Sequence, residues 1–252
     1  MDKKGFAEFC AELESGKTRV AEKKDGKWIV HPKVKERILE GFRLGQLTDM
    51  PGGFVDKDTI PAREFHAADG IRVVPGGTSV RTGAYLAKSV IVMPPAYINI
   101  GAFVDEATMV DSHALVGSCA QVGKRVHIAA AAQIGGVLEP AGARPVIIED
   151  DVFIGGNCGL YEGTLVKSGA VIATGTVINK STPVYDAVNG EWIKADEEGN
   201  ITIPENAVVV PGSRPVKKGA GAAEGIHLYC PVIVKFRDAG TSAAVALEDL
   251  LR

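Results

Sequence analysis

An aliphatic residue recurs at every sixth position through the middle of this 252-residue chain. The repeat runs in two registers, the first from Val74 to Ile134 and the second from Ile148 to Val184. A repeat this regular predicts stacked structural units and constrains the fold more than any other feature of the sequence. The eighteen positions are Val74, Val80, Leu86, Val92, Ile98, Val104, Val110, Val116, Val122, Ile128, Ile134, Ile148, Ile154, Leu160, Val166, Ile172, Ile178 and Val184.

A small or β-branched residue usually stands two positions before each of these aliphatic residues, as Ala84, Ala102 and Thr176 do. Side chains two apart on a strand point to the same face, so each hexapeptide is predicted to be a short strand followed by a turn. Three hexapeptides make one triangular coil, and eighteen make six coils. The sequence therefore predicts a mainly β protein, a parallel β-helix about 30 Å long if the coils stack at about 4.8 Å.

The flanking segments lack the repeat and predict a different local structure. Helical spacing of apolar residues predicts a helix around residues 6–13, and a second over 33–44, with a hairpin turn at 24–27 between them. We therefore predict a small α+β cap over 1–70 and the β-helix over 71–212, with an insertion at 187–204. A C-terminal segment over 213–252 is predicted to contain a closing strand at 226–235 and a short helix at 241–251.

Composition excludes several classes of function. The net charge of −3 lacks the basic excess typical of nucleic-acid-binding proteins. Apolar stretches are interrupted well before the roughly 18 residues that a membrane helix needs, and the N-terminus has no apolar signal core. The four cysteines are scattered without a C-x-x-C pair, which is typical of free thiols. We predict a cytoplasmic protein that binds neither nucleic acid nor membrane.

Few residues in the repeat have the chemistry that catalysis needs. Asp111 lies in a polar run with His113, whereas Asp105 follows an aliphatic residue as an ordinary turn aspartate would. Only His113 and His127 fall in the repeat, so a zinc site with three such ligands is not expected. Cys119 and Cys158 fall near inward rows and are interpreted as core residues. The interruption at 135–140 indicates either function or a tolerated bulge.

Several segments resemble the tetrahydrodipicolinate N-succinyltransferases, enzymes of lysine and diaminopimelate biosynthesis. The most specific strings are 118–124 (SCAQVGK) and 134–140 (IGGVLEP), and 99–106 (NIGAFVDE) supports them. The resemblance extends to most of the chain, through the segments 19–23, 25–28, 72–75, 109–111, 181–186 and 228–235.

The resemblance implies a left-handed parallel β-helix and a homotrimer with active sites between neighbouring prisms. It also implies succinyl-CoA as co-substrate and a ring-opened amino-oxopimelate as acceptor. We expect no permanently bound cofactor and no metal. Arg72 and Asp111 match substrate-binding residues of the family. We expect Asp111 to act in catalysis, with Glu162 as a second candidate. Expected contacts with coenzyme A are Gly155, Gly175, Lys180 and Lys217.

Two residues differ from the pattern of the family. His113 stands where relatives often have tryptophan, and Gly159 stands where they have a carboxylate that assists the chemistry. Three alternative functions remain open from the sequence. They are an N-acetyltransferase or specialised relative with a similar acceptor, a zinc enzyme of the γ-carbonic-anhydrase type, and an ice-binding solenoid, which would need a regular outward ladder of threonines.

Overall fold

The computed structural model describes residues 1–238 and contains a three-sided prism of stacked parallel strands. The first face comprises Arg72–Val73, Ile91–Val92, Met109–Val110, His127–Ile128, Phe153–Ile154, Val171–Ile172 and Ala207–Val210. The second face comprises Ser79–Val80, Tyr97–Ile98, Leu115–Val116, Gln133–Ile134, Gly159–Leu160 and Val177–Ile178. The third face comprises Tyr85–Leu86, Phe103–Val104, Gln121–Val122, Ile147–Ile148, Leu165–Val166 and Thr202–Ile203. The predicted parallel β-helix is confirmed.

The interior of the prism is filled by the predicted aliphatic residues. From Val80 to Ile178, each of them is the second residue of a two-residue strand and is at most 5% exposed. Equivalent side chains stack from coil to coil, as Val110, Ile128 and Ile154 do in consecutive strands of the first face. Because these columns fill the interior, reactive groups are left on the faces and on the three edges where the chain turns.

The repeat is less regular at its two ends than the sequence predicts. In the first coil Val73 aligns with Val92, so the prediction of Val74 was wrong by one residue. Gly76 and Gly77, both with positive φ, absorb the extra residue in the following turn. At the other end the strand is Tyr185–Asp186, and Val184 belongs to no strand.

The chain leaves the prism after Ile178, and Tyr185–Asp186 pairs with Glu191–Trp192 as an antiparallel hairpin. It returns at Thr202–Ile203, which pairs with Leu165–Val166, so the last residues of the predicted range 187–204 belong to the prism.

The N-terminal unit contains two helices and two hairpins. The helices are Lys3–Glu14 and Pro32–Leu44, and one hairpin pairs Ala21–Lys24 with Lys27–Val30, as predicted. A second hairpin, Leu47–Met50 with Phe54–Lys57, was not predicted, and a short 3-10 helix follows at Ala67–Asp69.

This unit was expected to cap an end of the prism, but much of it lies along the third face and the adjoining edge. Arg19 stacks on Phe103, 3.5 Å from the ring centroid, and its Nε donates to Gln121 Oε1 at 3.1 Å. Val20 and Ile38 approach Gly101 on the edge between the second and third faces. Outward apolar residues on the third face explain this placement, because Tyr85 and Phe103 stack there and need a cover. The N-terminal unit therefore covers the part of the third face around Phe103 and Gln121.

A buried carboxylate holds the N-terminal unit to the prism. Glu149 Oε1 accepts hydrogen bonds from Lys23 Nζ and Trp28 Nε1, each at 2.8 Å. Its Oε2 accepts from the backbone N and the hydroxyl of Ser168, each at 3.2 Å. Burial alone would raise the pKa of Glu149, but these donors and the Lys23 charge hold the pKa below its ordinary value of 4.5.

We expect this contact to weaken in acid. A carboxyl with a lowered folded-state pKa contributes stability above its unfolded pKa, and that stability is lost as pH falls through the folded pKa. The free energy of unfolding should therefore fall below pH 4.5, and Glu149→Gln should remove part of that pH dependence. Denaturant unfolding at pH 7 and at successive pH values below 4.5 measures it. The control is Glu106→Gln, which changes an exposed carboxylate bonded to Lys124. Equal pH dependence in both variants would contradict the assignment.

The two largest excursions from the coils meet on the edge between the second and third faces. Arg144 belongs to the first excursion, which follows Gly135, and donates to the carbonyl of Gly163 at 2.7 Å. It also pairs with Asp196 of the second excursion at 2.9 Å. Two further contacts hold the segment 135–140 in place. Val137 N donates to Ser118 O at 3.1 Å, and Leu138 packs on the core of the N-terminal unit.

The C-terminal segment closes the far end of the prism. Val232–Phe236 pairs antiparallel with Ala207–Val210 on the first face. The predicted single strand over 226–235 is instead two strands, because His227–Tyr229 turns away before Pro231 and pairs with Ser213–Pro215. A four-residue helix, Ala220–Ala223, lies in the loop between the two strands of that hairpin. The helix predicted over 241–251 lies outside the described residues.

Candidate active site

Asp111, Gly155 and Gly175 lie along one edge of the prism, between the first and second faces. Backbone hydrogen bonds connect this edge from coil to coil, with Asp111 N donating to Ile128 O and Gly155 N to Ile172 O. Gly175 N donates to Gly156 O in the preceding turn of this edge. We call this edge the first edge. It brings the predicted catalytic aspartate and two of the predicted coenzyme contacts into one line.

Arg72 lies on the first face, in the first coil. Its strand pairs with Ile91–Val92, which pairs in turn with the strand that ends one residue before Asp111. Along the axis of the prism, Arg72 and Asp111 are two coil spacings apart, which is about 10 Å. Arg72 is exposed and Asp111 is half-buried, so both side chains reach the solvent.

The Asp111 carboxylate already makes one local hydrogen bond, which fixes its direction. Its Oδ1 accepts from Ser112 N at 2.7 Å, as an aspartate in a turn commonly does. No ion pair involving Asp111 is found among residues 1–238. One carboxylate oxygen is therefore free for a cationic ligand. His113, in the same turn, is exposed and has φ of 63°.

Glu162 and Lys180 lie on a different edge, between the second and third faces. Glu162 has φ of 47°, and its Oε2 accepts from Lys180 N at 2.9 Å in the coil above. Within one chain the width of the second face therefore separates Glu162 from the first edge. The structure accounts for Glu162 by this turn-to-turn hydrogen bond, and its catalytic role stays a prediction.

Lys217 lies in the exposed loop of the C-terminal hairpin. This hairpin contacts the second face through Tyr229, whose hydroxyl accepts from Val177 N at 2.6 Å. Lys217 is thus carried by a hairpin that contacts the last strand of the second face. Its role as a coenzyme contact stays a prediction.

The second face has a local depression at Gly159. The side chain of Tyr161 lies across it, and a Cβ at Gly159 would be 2.5 Å from ring carbon Cε2 and 2.9 Å from the hydroxyl oxygen. Sequence reasoning singled out Gly159 but missed Tyr161. Tyr161 is the first residue after the two-residue strand Gly159–Leu160.

The cysteines and histidines offer no alternative centre in the described part of the chain. Burial raises the pKa of Cys158 to about 11 and that of Cys119 to about 12, which opposes formation of a nucleophilic thiolate. His127 stacks on Phe153 at 5.1 Å between ring centroids. Within residues 1–238, no three His, Cys, Asp or Glu side chains gather as a metal site. No helix in this range is long and apolar enough to cross a membrane.

Comparison with known proteins identifies the family. The model for the N-terminal region of tetrahydrodipicolinate N-succinyltransferase matches residues 2–44, and the hexapeptide repeat of succinyl-transferase matches 145–180. The 2,3,4,5-tetrahydropyridine-2,6-dicarboxylate N-succinyltransferase of Paraburkholderia phymatum is 45% identical over 99% of this chain and 89% of its own. The enzyme of the same name from Sodalis glossinidius is 45% identical over 97% and 87%. The chain belongs to the tetrahydrodipicolinate N-succinyltransferase family.

Membership in the tetrahydrodipicolinate N-succinyltransferase family confirms the resemblance predicted from the sequence strings. It also decides against the zinc-enzyme and ice-binding alternatives, since neither belongs to this family. A Campylobacter jejuni structure described as a 2,3,4,5-tetrahydropyridine-2-carboxylate N-succinyltransferase covers 92% of this chain and 63% of its own, at 15% identity and a TM-score of 0.48.

Proposed function

We propose that the chain transfers the succinyl group of succinyl-CoA to the amine formed when tetrahydrodipicolinate adds water and opens. The observation that carries this proposal is the 45% identity, over 99% of the chain, to relatives named for that transfer. The products are N-succinyl-2-amino-6-oxopimelate and free coenzyme A, in diaminopimelate and lysine biosynthesis.

The chemistry of the acceptor explains why water takes part. The ring nitrogen of tetrahydrodipicolinate is an imine with no hydrogen, so it cannot yield a stable neutral amide while the ring is closed. Addition of water to the C=N bond and ring opening give a ketone and a primary amine. That amine is the nucleophile.

The spacing between Arg72 and Asp111 suits this acceptor. A guanidinium pairs well with a carboxylate, and Asp111 has a carboxylate oxygen free for an ammonium group. The two residues lie about 10 Å apart in level. An extended seven-carbon dicarboxylate with hydrogen bonds at both ends spans such a distance. Arg72 would hold the carboxylate remote from the amine, while Asp111 holds the amine.

Asp111 also suits the proton transfer that the reaction needs. An alkyl ammonium ion has a pKa near that of lysine, about 10.4, and must lose a proton before it attacks. Asp111 receives that proton, and the neutral nitrogen forms a bond to the thioester carbon. When the tetrahedral intermediate collapses, the C–S bond breaks. The second proton on nitrogen leaves with the thiolate, as the thiol of coenzyme A.

The predicted coenzyme contacts fit an extended donor along the first edge. Gly155 and Gly175 follow Asp111 along that edge, and Lys217 lies in the hairpin that contacts the second face at Val177. Lys180, on the other edge of the second face, would serve a donor bound to a neighbouring protomer. The homotrimer with sites between its prisms and the cytoplasmic location remain predictions.

A donor panel tests the proposed function. Purified protein is supplied with tetrahydrodipicolinate and either succinyl-CoA or acetyl-CoA, and thiol release and the acylated product are measured. We expect succinyl-CoA to be the better donor, with no thiol release when the acceptor is omitted. A clear preference for acetyl-CoA would favour the acetyltransferase alternative, and turnover of neither donor would contradict the proposal.

A further inference from the structure

A cleft lies between the third face and the hairpin formed by Ala21–Lys24 and Lys27–Val30. Its volume is about 360 Å³, within the range of about 300–1,000 Å³ that is typical of small-molecule sites. The hairpin forms one wall, and the strand Leu165–Val166 with the turn after it forms the other. We call it the hairpin cleft. In a three-sided prism the third face lies opposite the first edge, so the hairpin cleft is separate from the candidate active site of the same chain.

The charged groups that line the hairpin cleft divide into paired and unpaired ones. Lys23 pairs with Glu149 at 2.8 Å, and Arg144 pairs with Asp196 at 2.9 Å. The remaining charged residues of the lining are all exposed, and they are Lys27, Lys167 and Glu205. None of these three side chains has an ion-pair partner in the described range 1–238. Two cations and one anion are therefore available to a ligand.

The hairpin cleft also has apolar surface between these charges. Leu165 lies in the third-face wall and is 7% exposed. Trp28 lies in the hairpin wall and is half-buried. Its indole is held in place because Nε1 donates to Glu149 Oε1 at 2.8 Å. These two side chains offer contacts to a short aliphatic chain, so a complementary ligand has an apolar middle and charged ends.

The signs of the unpaired charges restrict the ligand further. The ammonium groups of Lys27 and Lys167 attract carboxylates, whereas the carboxylate of Glu205 attracts an ammonium group. A phosphate or a plain dicarboxylate would leave Glu205 facing a like charge. A short aliphatic molecule with two carboxylates and one ammonium group satisfies all three side chains.

We propose that the hairpin cleft binds a small amino dicarboxylic acid, with Lys27 and Lys167 on its carboxylates and Glu205 on its ammonium group. This site is additional to the one in the proposed function and does not depend on it. One wall belongs to the N-terminal unit and the other to the prism. A bound ligand therefore joins the two parts and stabilises the folded chain.

Trp28 provides a reporter inside the hairpin cleft. The chain has two tryptophans, so Trp192→Phe leaves Trp28 as the only one. We expect L-2-aminoadipate to change the fluorescence of this protein in a saturable way. Adding Lys27→Ala and Lys167→Ala should weaken the affinity about 10-fold, because two charge contacts are lost.

The matched control combines Lys4→Ala with Lys88→Ala in the same Trp192→Phe background. It causes the same loss of charge at two exposed lysines outside the hairpin cleft. The affinity for L-2-aminoadipate should stay close to that of the parent protein. Circular dichroism verifies that each variant is folded.

Glu205→Gln separates an amino dicarboxylate site from a simple anion site. The change removes the partner of the ammonium group and should weaken L-2-aminoadipate about 3–5-fold. Adipate has the same two carboxylates and no ammonium group, so its affinity should not fall.

Three results would overturn the proposal. They are the absence of a saturable fluorescence change, equal affinities in the two double-lysine variants, and an equal effect of Glu205→Gln on the two ligands. The measurement involves no turnover, so its outcome is independent of the donor panel that tests the proposed function.

Discussion

Asp111→Asn should lower kcat at least about 100-fold, because the amide cannot take a proton from the substrate ammonium. The fold should be unaffected. The local role of Asp111 is to accept a hydrogen bond from Ser112 N at 2.7 Å through Oδ1, and an asparagine Oδ1 accepts the same bond. Steady-state rates with succinyl-CoA, together with circular dichroism and thermal unfolding, separate the chemical effect from a structural one.

Asp105 offers a matched control for this substitution. It is also half-buried in a turn after an aliphatic residue, and its Oδ1 accepts from the next backbone N, that of Glu106, at 2.8 Å. It lies on the edge between the third and first faces, away from the first edge. Asp105→Asn should leave kcat near that of the unmodified protein. Near-normal turnover in Asp111→Asn, or an equal loss in both variants, would remove Asp111 from the mechanism.

Ile128→Ala should cost about 2–5 kcal/mol of the free energy of unfolding. Ile128 is fully buried inside the prism, between Val110 of the preceding coil and Ile154 of the following one. Truncation leaves a cavity in a column whose neighbours are fixed by interstrand hydrogen bonds, so the coil has little freedom to collapse onto it. Denaturant unfolding monitored by circular dichroism measures the loss.

The same change at Ile226 serves as the control. Ile226 is 51% exposed in the C-terminal hairpin, so Ile226→Ala removes few buried contacts and should cost well under 1 kcal/mol, as surface substitutions usually do. Similar losses at both positions would mean that the aliphatic column does not hold the coils together.

The fold of the central region was predictable because each six-residue repeat of the sequence corresponds to one strand and one turn of the structure. Each hexapeptide repeats the same pairing of small and large inward residues, so Val80 to Ile178 were assigned correctly without knowledge of distant contacts. The error lies in the first coil, which has no neighbour on one side, so its hydrogen-bond register can shift and Val73 takes the place of Val74. Val184 is fully buried in the core as predicted, although it lies just outside the strand Tyr185–Asp186.

The position of the N-terminal unit was not predictable from local pattern. Its helices were evident, but docking along the third face depends on contacts distant in sequence, such as Lys23 with Glu149 and Lys35 Nζ with Ala143 O at 2.6 Å. The hairpin over Leu47–Met50 and Phe54–Lys57 was missed although residues 51–53 are Pro-Gly-Gly, a strong turn signal. Its strands are short and expose Leu47, Phe54 and Val55, so they lack the usual alternation.

For the site, sequence reasoning identified individual residues but not which edge each one occupies. The interruption after Ile134 shifts the six-residue register. Strand pairing is therefore needed to show that Asp111 and Gly155 share an edge and that Glu162 lies on another. The position of the Tyr161 ring over Gly159 was not predictable either, because the sequence period does not set the direction of an outward side chain.

Both large excursions leave the prism at the edge between the second and third faces, where Arg144 ties them together. From the second coil onward the first edge consequently repeats without interruption, and only the turn after Val73 is one residue longer. The axial distance between the contacts that a ligand makes with Arg72 and Asp111 is a whole number of coil spacings, each about 4.8 Å. Acceptors of intermediate length cannot be matched by inserting single residues, since only a complete coil moves one contact relative to the other while preserving the core. Chain-length preference in such a prism should therefore change in discrete steps.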